Sequence, residues 1–207
     1  MDEQVIKAMQ RWPEVPAVHG WLRLDRRGRW LLIDRAKPGF DESRDGQGSP
    51  ITNEQILEFI ARNYQADELG RWFWQNGPQR VFVDLDLAPL ILRVLGSGGE
   101  AQLCTHTGVL IETVSCAWCT EHDDLMLDTE LGPAALHDLD LGLLEFKDAK
   151  TDGLKEPNAD PGKAGATGEA AIPACLNILG RTLTIHPANS SFAKAQHRRF
   201  DPKPRAS

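Results

Sequence analysis

A short internal repeat is the feature that most constrains what this chain can fold into. Residues 74–92 recur 44 positions later as residues 118–136, and five equivalent positions are identical. The identical pairs are Trp74/Trp118, Asp84/Asp128, Leu87/Leu131, Pro89/Pro133 and Leu92/Leu136. Each copy reads as an alternating apolar strand, an acidic turn and a proline at a helix start. We expect two strand-turn-helix units. Coincidence is the alternative, because such units are common and two copies are too few for a solenoid.

Four carboxylates accompany the repeat, namely Asp84, Asp86, Asp128 and Glu130. Residues i and i+2 of a strand share one face about 7 Å apart, so each pair is expected to point away from the apolar face. A carboxylate just before a helix suits its unpaired amides and its positive dipole end. This favours a capping role, with acid-base chemistry or a divalent metal as alternatives. We treat all four as ligand or interface candidates.

The composition limits the classes of protein to which this chain can belong. The chain has 207 residues, of which 41% are hydrophobic and six are Trp, enough for a folded protein with an ordinary core. The net charge of -7 disfavours general binding to nucleic acid or anionic membranes. No secretory signal and no apolar run long enough for a membrane span is seen, so we expect a cytoplasmic protein. Four cysteines are then expected to be reduced thiols.

The order of elements predicts an α+β protein of two small β-rich modules with antiparallel sheets and a few short helices. Glycines 96, 98 and 99 place the boundary, giving modules at residues 1–97 and 98–207. Helices are expected at residues 2–12, at 89–95 and after Thr52, where Gln55 completes a capping box. Hairpins are expected at residues 21–33 and 71–87, and a meander from residue 101 to 131. Residues 148–171 lack large apolar side chains and are expected to be mobile, and residues 201–207 to fray.

Five side chains of metal-ligand type lie within 19 residues: Cys104, His106, Cys116, Cys119 and His122. They are ligands that a tetrahedral zinc accepts. The spacing argues against convergence, because residues 116 and 119 of one continuous strand point to opposite faces. A thioredoxin-like use needs a helix N-terminus that this β-rich stretch lacks. We expect inert thiols and no cofactor, with zinc or thiol chemistry as the alternative.

Signatures of other chemistry are absent from the sequence, which has no nucleophile elbow and no phosphate-binding glycine loop. The aromatic run around Trp72 and Trp74 could stack nucleic-acid bases or form an interface, although alternation favours core packing. These two residues join the ligand or interface candidates. We therefore expect a non-catalytic binding or interaction module for an unidentified protein or small molecule. The alternative is a metal-assisted or thiol-dependent enzyme using residues 104–122.

The pattern over residues 20–146 resembles uncharacterised bacterial families known only as domains of unknown function. The resemblance rests on short motifs: Trp21, Gly28-Arg29-Trp30, Phe59, Gly70-Arg71-Trp72, Val81-Phe82-Val83-Asp84 to Pro89, and Thr105-His106-Thr107-Gly108. It implies a two-part α+β fold and assigns no activity, so it carries no functional residue to this chain. Residues 34–50 and 148–171 depart from the pattern.

Overall fold

The structure, a computed structural model, describes residues 1–96, 101–148 and 174–206. Strands hold about twice as many of these residues as helices do, so the expected α+β class holds in a coarse form that is mainly β. The helices are α1 Glu3–Arg11, α2 Glu42–Asp45, α3 Glu54–Arg62, a 3-10 helix at Asp138–Leu143, and α4 Ser191–His197. The strands are β1 Val18–Leu24, β2 Trp30–Leu32, β3 Ser49–Pro50, β4 Tyr64–Ala66, β5 Trp72–Asn76, β6 Gln79–Leu85, β7 Leu90–Leu95, β8 Gln102–Thr105, β9 Leu110–Ile111, β10 Val114–Cys119, β11 Leu125–Thr129, β12 Gly132–Leu136, β13 Glu145–Asp148, β14 Ala174–Ile178 and β15 Arg181–His186.

Two mixed sheets organise these strands. A six-stranded sheet has the order β3-β2-β1-β6-β5-β4, and a nine-stranded sheet has the order β13-β14-β15-β10-β11-β12-β7-β8-β9. The expectation of antiparallel sheets is wrong at three pairs, because β1 with β6, β7 with β12 and β10 with β15 are parallel. A parallel pair needs a long crossover. Between β1 and β6 the crossover runs through β2, α2, β3, α3, β4 and β5.

The local sequence explains helices α1 and α3, although the N-cap of α3 differs by one residue from the predicted one. Helices α1 and α3 bury Val5 and Ile60 and leave their other faces exposed. The N-cap of α3 is Asn53 rather than the expected Thr52, and the Asn53 side chain accepts a hydrogen bond of 3.1 Å from the Ile56 N–H. Asn is as strong a cap as Ser or Thr, so the helix starts one residue later than predicted.

The segments that follow Pro89 and Pro133 are strands, so the predicted helices and the capping roles of Asp84 and Asp128 are wrong. A short apolar run does not distinguish a buried strand from a helix by periodicity, and residues 90–92 are fully buried. Strands β7 and β12 pair in parallel with Leu90 opposite Ala134 and Leu92 opposite Leu136. The register of this pair therefore equals the 44-residue spacing of the repeat. Each copy contributes a hairpin followed by one of these two central strands.

One hydrophobic core spans both sheets. Leu22 and Val83 of the six-stranded sheet belong to the same buried cluster as Leu92, Leu103 and Trp118 of the nine-stranded sheet. Strand β7 precedes the proposed boundary at residue 97, yet it lies in the nine-stranded sheet. The division into modules stays a prediction, and residues 149–171 of the segment expected to be mobile lie outside the described residues. Among the residues that are described, no helix is long and apolar enough to cross a membrane.

Residues 199–206, which we call the C-terminal segment, pack on the six-stranded sheet, contrary to the fraying expected from residue 201 onward. Phe200 is buried, the Asp201 N–H donates to the Gly70 carbonyl at 3.0 Å, and the Leu85 N–H donates to the Pro202 carbonyl at 2.8 Å. The Arg205 guanidinium then donates two hydrogen bonds, of 2.7 and 3.2 Å, to the Asp84 carboxylate. These long-range bonds order a segment whose own sequence gives no strand or helix signal.

We predict that Gly70→Ala destabilises the fold more than Gly77→Ala. Both glycines have positive φ, +73° and +56°, and that conformation alone costs a non-glycine residue on the order of 1 kcal/mol. A Cβ at residue 70 would also lie 2.4 Å from the Arg199 carbonyl oxygen, whereas one at residue 77 meets nothing within 4 Å. Urea unfolding measures the two free energies of unfolding. Equal losses would show that the C-terminal segment does not press on residue 70.

Candidate functional site

A polar cleft of about 620 Å³ opens where the two sheets meet. Its walls are the β1–β2 turn, the end of β6, the β10–β11 turn and the start of the 3-10 helix. We call it the arginine cleft and define it by eight charged residues: Arg23, Asp25, Arg26, Arg27, Arg29, Asp86, Asp124 and Asp138. Four cations and four carboxylates thus face one cavity.

The β1–β2 turn presents most of the cations, and its sequence explains its shape. The Asp25 carboxylate accepts hydrogen bonds from the N–H groups of Arg27 and Arg29 at 2.9 and 2.8 Å. The Asp25 N–H donates to the Arg29 carbonyl, and the Gly28 N–H donates to the Asp25 carbonyl. Aspartate commonly closes a turn by bonding backbone amides a few residues on. The turn is therefore fixed before any ligand arrives.

Gly28 lets this turn approach the second sheet. It has φ +79°, and a Cβ there would lie 2.7 Å from the Cβ of His106. His106 is held in turn by β7, because its N–H donates to the Ile91 carbonyl at 2.7 Å and its Nδ1 accepts from the Ile91 N–H at 3.2 Å. The Trp30 ring packs on the imidazole with centroids 5.4 Å apart. The glycine therefore allows the β1–β2 turn to lie directly against His106 of the second sheet.

Each arginine of the cleft donates to a carboxylate. The Arg23 guanidinium binds Asp86 through two bonds of 2.7 and 2.8 Å, and Arg29 Nε donates to Asp25 at 2.6 Å. The other two pairs link the β1–β2 turn to loops that follow strands of the nine-stranded sheet. Arg27 donates to Asp138 at 2.7 Å, and Arg26 donates to Asp124. The Arg29 side chain is 67% exposed and the Asp25 side chain only 10%. In that pair the carboxylate lies behind a guanidinium that faces the cleft.

The ion pairs shift several pKa values. Burial raises the pKa of Asp25, but hydrogen bonds from Arg29 and from the Arg27 N–H outweigh it and hold that pKa below its ordinary value. The bond from Arg27 lowers the pKa of Asp138, and the bond to Asp86 raises the pKa of Arg23. These groups keep their charges through the neutral range. The cleft therefore offers fixed donors and acceptors.

The four predicted carboxylates do not form one site. Asp86 lines the arginine cleft, whereas Asp84 pairs with Arg205 of the C-terminal segment. Asp128 contacts Arg199 at 2.5 Å and accepts a 2.8 Å bond from the Ser115 hydroxyl. Glu130 accepts hydrogen bonds from the N–H groups of Glu112 and Thr113 at 2.7 and 3.0 Å. Each carboxylate holds its own neighbouring segment.

The two tryptophan candidates lie on β5. Trp72 is buried and packs on Tyr64 with ring centroids 4.9 Å apart. Trp74 is half-buried, and its ring meets Phe59 edge-on at 5.8 Å. Neither side chain lines the arginine cleft. Their contacts tie β5 to β4 and to α3.

The cysteine and histidine candidates lie on strands β8 and β10 and in the turns that follow these two strands. Cys104 lies on β8 and Cys116 on β10, four strand spacings apart in the sheet order, or about 19 Å. Burial raises the pKa of the thiols of Cys104, Cys116 and Cys119, and His122 lines a second cavity beside the cleft. Within the three described stretches, no group of three or more His, Cys, Asp or Glu side chains is placed to hold a metal ion.

Sequence reasoning found Asp86 and His122 but missed the arginines. Four of the seven residues from Arg23 to Arg29 are arginine, in a predicted hairpin turn. That density of cations at a turn was a usable signal. The partners Asp124 and Asp138 gave no such signal, because they lie 98 and 111 residues from the arginines that bind them.

The fold and the cleft define a mixed, mainly β protein with a charged cavity between two sheets. The family model DUF2944, described as "Protein of unknown function (DUF2946)", matches residues 1–189. The chain belongs to this family, which confirms the expected membership in an uncharacterised family.

Two solved structures are similar to this chain. A DUF1285 family protein from Silicibacter pomeroyi DSS-3 is similar with a TM-score of 0.46 and 15% identity, over 90% of this chain and 96% of that one. A DUF1285 family protein from Shewanella baltica OS155 gives a TM-score of 0.41 and 16% identity, over 59% of this chain and 87% of that one. No curated protein matches.

We predict that His106 makes the free energy of unfolding depend on pH, at pH values above those at which the carboxylates titrate. Burial lowers the pKa of His106 from 6.5 to about 3. Between these values the unfolded chain binds a proton that the folded chain does not, so stability falls as pH falls, by up to about 1.4 kcal/mol per pH unit. Urea unfolding from pH 7 to 4.5 should show this slope, and His106→Asn should flatten it. The same slope in both proteins would contradict the prediction.

Proposed function

We propose that the protein is a non-catalytic binding module that takes a small anionic molecule, with carboxylate or phosphate groups, into the arginine cleft. The observation that carries the proposal is the convergence of four guanidiniums on one cavity of about 620 Å³. Arginine presents five N–H donors in a planar fork that matches carboxylate and phosphate geometry. A cavity of this size suits a metabolite rather than a macromolecule.

The carboxylates of the cleft support binding as well as folding. The bond to Asp138 uses one N–H of Arg27, and the bond to Asp25 uses one N–H of Arg29. The remaining donors can reach a ligand while the carboxylate fixes the guanidinium plane. Orientation by such a partner reduces the entropy that the arginine loses on binding. The cleft is in this sense preorganised.

A binding role is favoured over catalysis by the state of the charged groups. The carboxylates of the cleft each accept a hydrogen bond from an arginine, and catalysis by a general base needs a group poised near the working pH. The thiol-dependent alternative has less support, because the thiols of Cys104 and Cys116 lie far apart and burial raises their pKa values. The four cysteines are free thiols, which supports a reducing compartment such as the cytoplasm.

We predict that inorganic phosphate raises the midpoint of thermal unfolding and that Arg29→Gln weakens its binding about ten-fold. That factor corresponds to one hydrogen bond to a charged group, about 1.5 kcal/mol. Stabilisation by the ligand follows its concentration relative to Kd, so a phosphate titration at constant ionic strength gives the affinity.

Arg80→Gln is the matched control for this titration. It removes the same charge from an exposed arginine that stacks on Phe73 at 4.6 Å, outside the cleft. Its phosphate affinity should equal that of the wild type. Equal affinities in all three proteins would contradict the proposed site.

A further inference from the structure

Two of the four ion pairs in the arginine cleft join the two sheets. Arg26 reaches Asp124 in the β10–β11 turn, and Arg27 reaches Asp138 at the start of the 3-10 helix. The Arg26 and Arg27 side chains are 48% and 51% exposed. The Asp138 side chain is also exposed, at 54%, and such an ion pair contributes little to stability. The Asp124 side chain is only 15% exposed, but it also accepts a 2.8 Å bond from the Thr120 hydroxyl, and that bond remains when Arg26 leaves.

We propose that the natural ligand carries two anionic groups and binds by exchange, one group taking Arg26 from Asp124 and the other taking Arg27 from Asp138. The proposal rests on the proposed function and names the ligand class, a diphosphate or a dicarboxylate. On binding, the ligand takes the place of protein carboxylates as the partner of the β1–β2 turn. Occupancy of the cleft is thereby coupled to the contact between the two sheets.

The other two ion pairs are unsuited to exchange. Arg23 is held by two bonds to Asp86, and its side chain is only 29% exposed. Asp25 also accepts the two backbone N–H bonds that close the turn. Losing either carboxylate as a partner would disturb the strand or the turn itself. Arg23 and Arg29 therefore remain in place as donors while Arg26 and Arg27 exchange.

The need for two anionic groups follows from where the exchanging arginines point. They are neighbours in the turn, yet one carboxylate partner lies in the β10–β11 turn and the other at the start of the 3-10 helix. We expect a single small anion to take the place of one partner, whereas two linked anions can replace both, and the second then binds at a high effective concentration.

The Arg26–Asp124 pair also borders a second cavity. This cavity has a volume of about 300 Å³, and both residues of the pair line it as well as the arginine cleft. Breaking the pair removes a barrier between the two spaces. A ligand longer than one phosphate therefore has room beside Arg26.

The first test compares inorganic phosphate with pyrophosphate at equal ionic strength. We expect pyrophosphate to bind wild-type protein at least ten-fold more tightly than phosphate. Arg26→Gln and Arg27→Gln should each weaken pyrophosphate binding about ten-fold and change phosphate binding less than three-fold. Both changes remove exposed side chains, and circular dichroism checks that the variants fold. Equal affinity of the wild type for the two anions would overturn the exchange.

The second test removes the competing carboxylates. Asp124→Asn and Asp138→Asn should each tighten pyrophosphate binding about two- to five-fold, because a protein carboxylate no longer competes with the ligand for the arginine. Asp67→Asn is the matched control, since Asp67 pairs with Arg71 away from the cleft and loses the same charge. An effect no larger than that of Asp67→Asn would overturn the exchange.

The outcomes separate the two proposals. If phosphate binds and Arg29→Gln weakens it, the binding module stands whatever pyrophosphate does. If pyrophosphate has no advantage in that case, only the exchange fails. If wild-type protein binds neither anion, both proposals fail together.

Discussion

The close approach of Gly28 to His106 is the contact on which the arrangement of the two sheets depends at the cleft. A hairpin turn from one sheet lies against a histidine from the other, at a distance that only glycine permits. The imidazole stays neutral because burial lowers its pKa, and its Nδ1 accepts the Ile91 N–H. A neutral acceptor is required at this place, since a protonated Nδ1 could not accept that bond. The contact between Gly28 and the neutral His106 thus positions the turn that carries the arginines.

Local structure was predictable where the sequence carries a periodic or turn signal. Helix α1 and the hairpins β1–β2 and β5–β6 occur where expected, and α3 begins one residue late because Asn53 rather than Thr52 caps it. The failure at residues 89–95 has a physical cause. The run from Leu90 to Leu92 is buried inside a parallel pair, and full burial removes the alternation by which a strand is recognised.

The candidate site was predictable only in part, because ion pairs join residues that are distant in sequence. The prediction found the carboxylates of Asp84 and Asp86 but assigned a cap where the structure has salt bridges. Arg205 lies 121 residues from Asp84, and Arg23 lies 63 residues from Asp86. A pattern within one strand does not reveal such partners. The arginine-rich turn was visible as composition, yet its meaning depends on the cavity formed by loops of the second sheet.

Charge balance determines what kind of selectivity the cleft can have. Its four arginines and four aspartates cancel formally, and the whole chain carries a net charge of -7. Long-range attraction therefore does not draw an anion to the protein, and association lacks the electrostatic steering that a basic surface provides. Affinity must come from short, directed hydrogen bonds inside the cleft. Such bonds depend strongly on geometry, so the cleft should distinguish anions by the spacing of their charged groups more than by total charge.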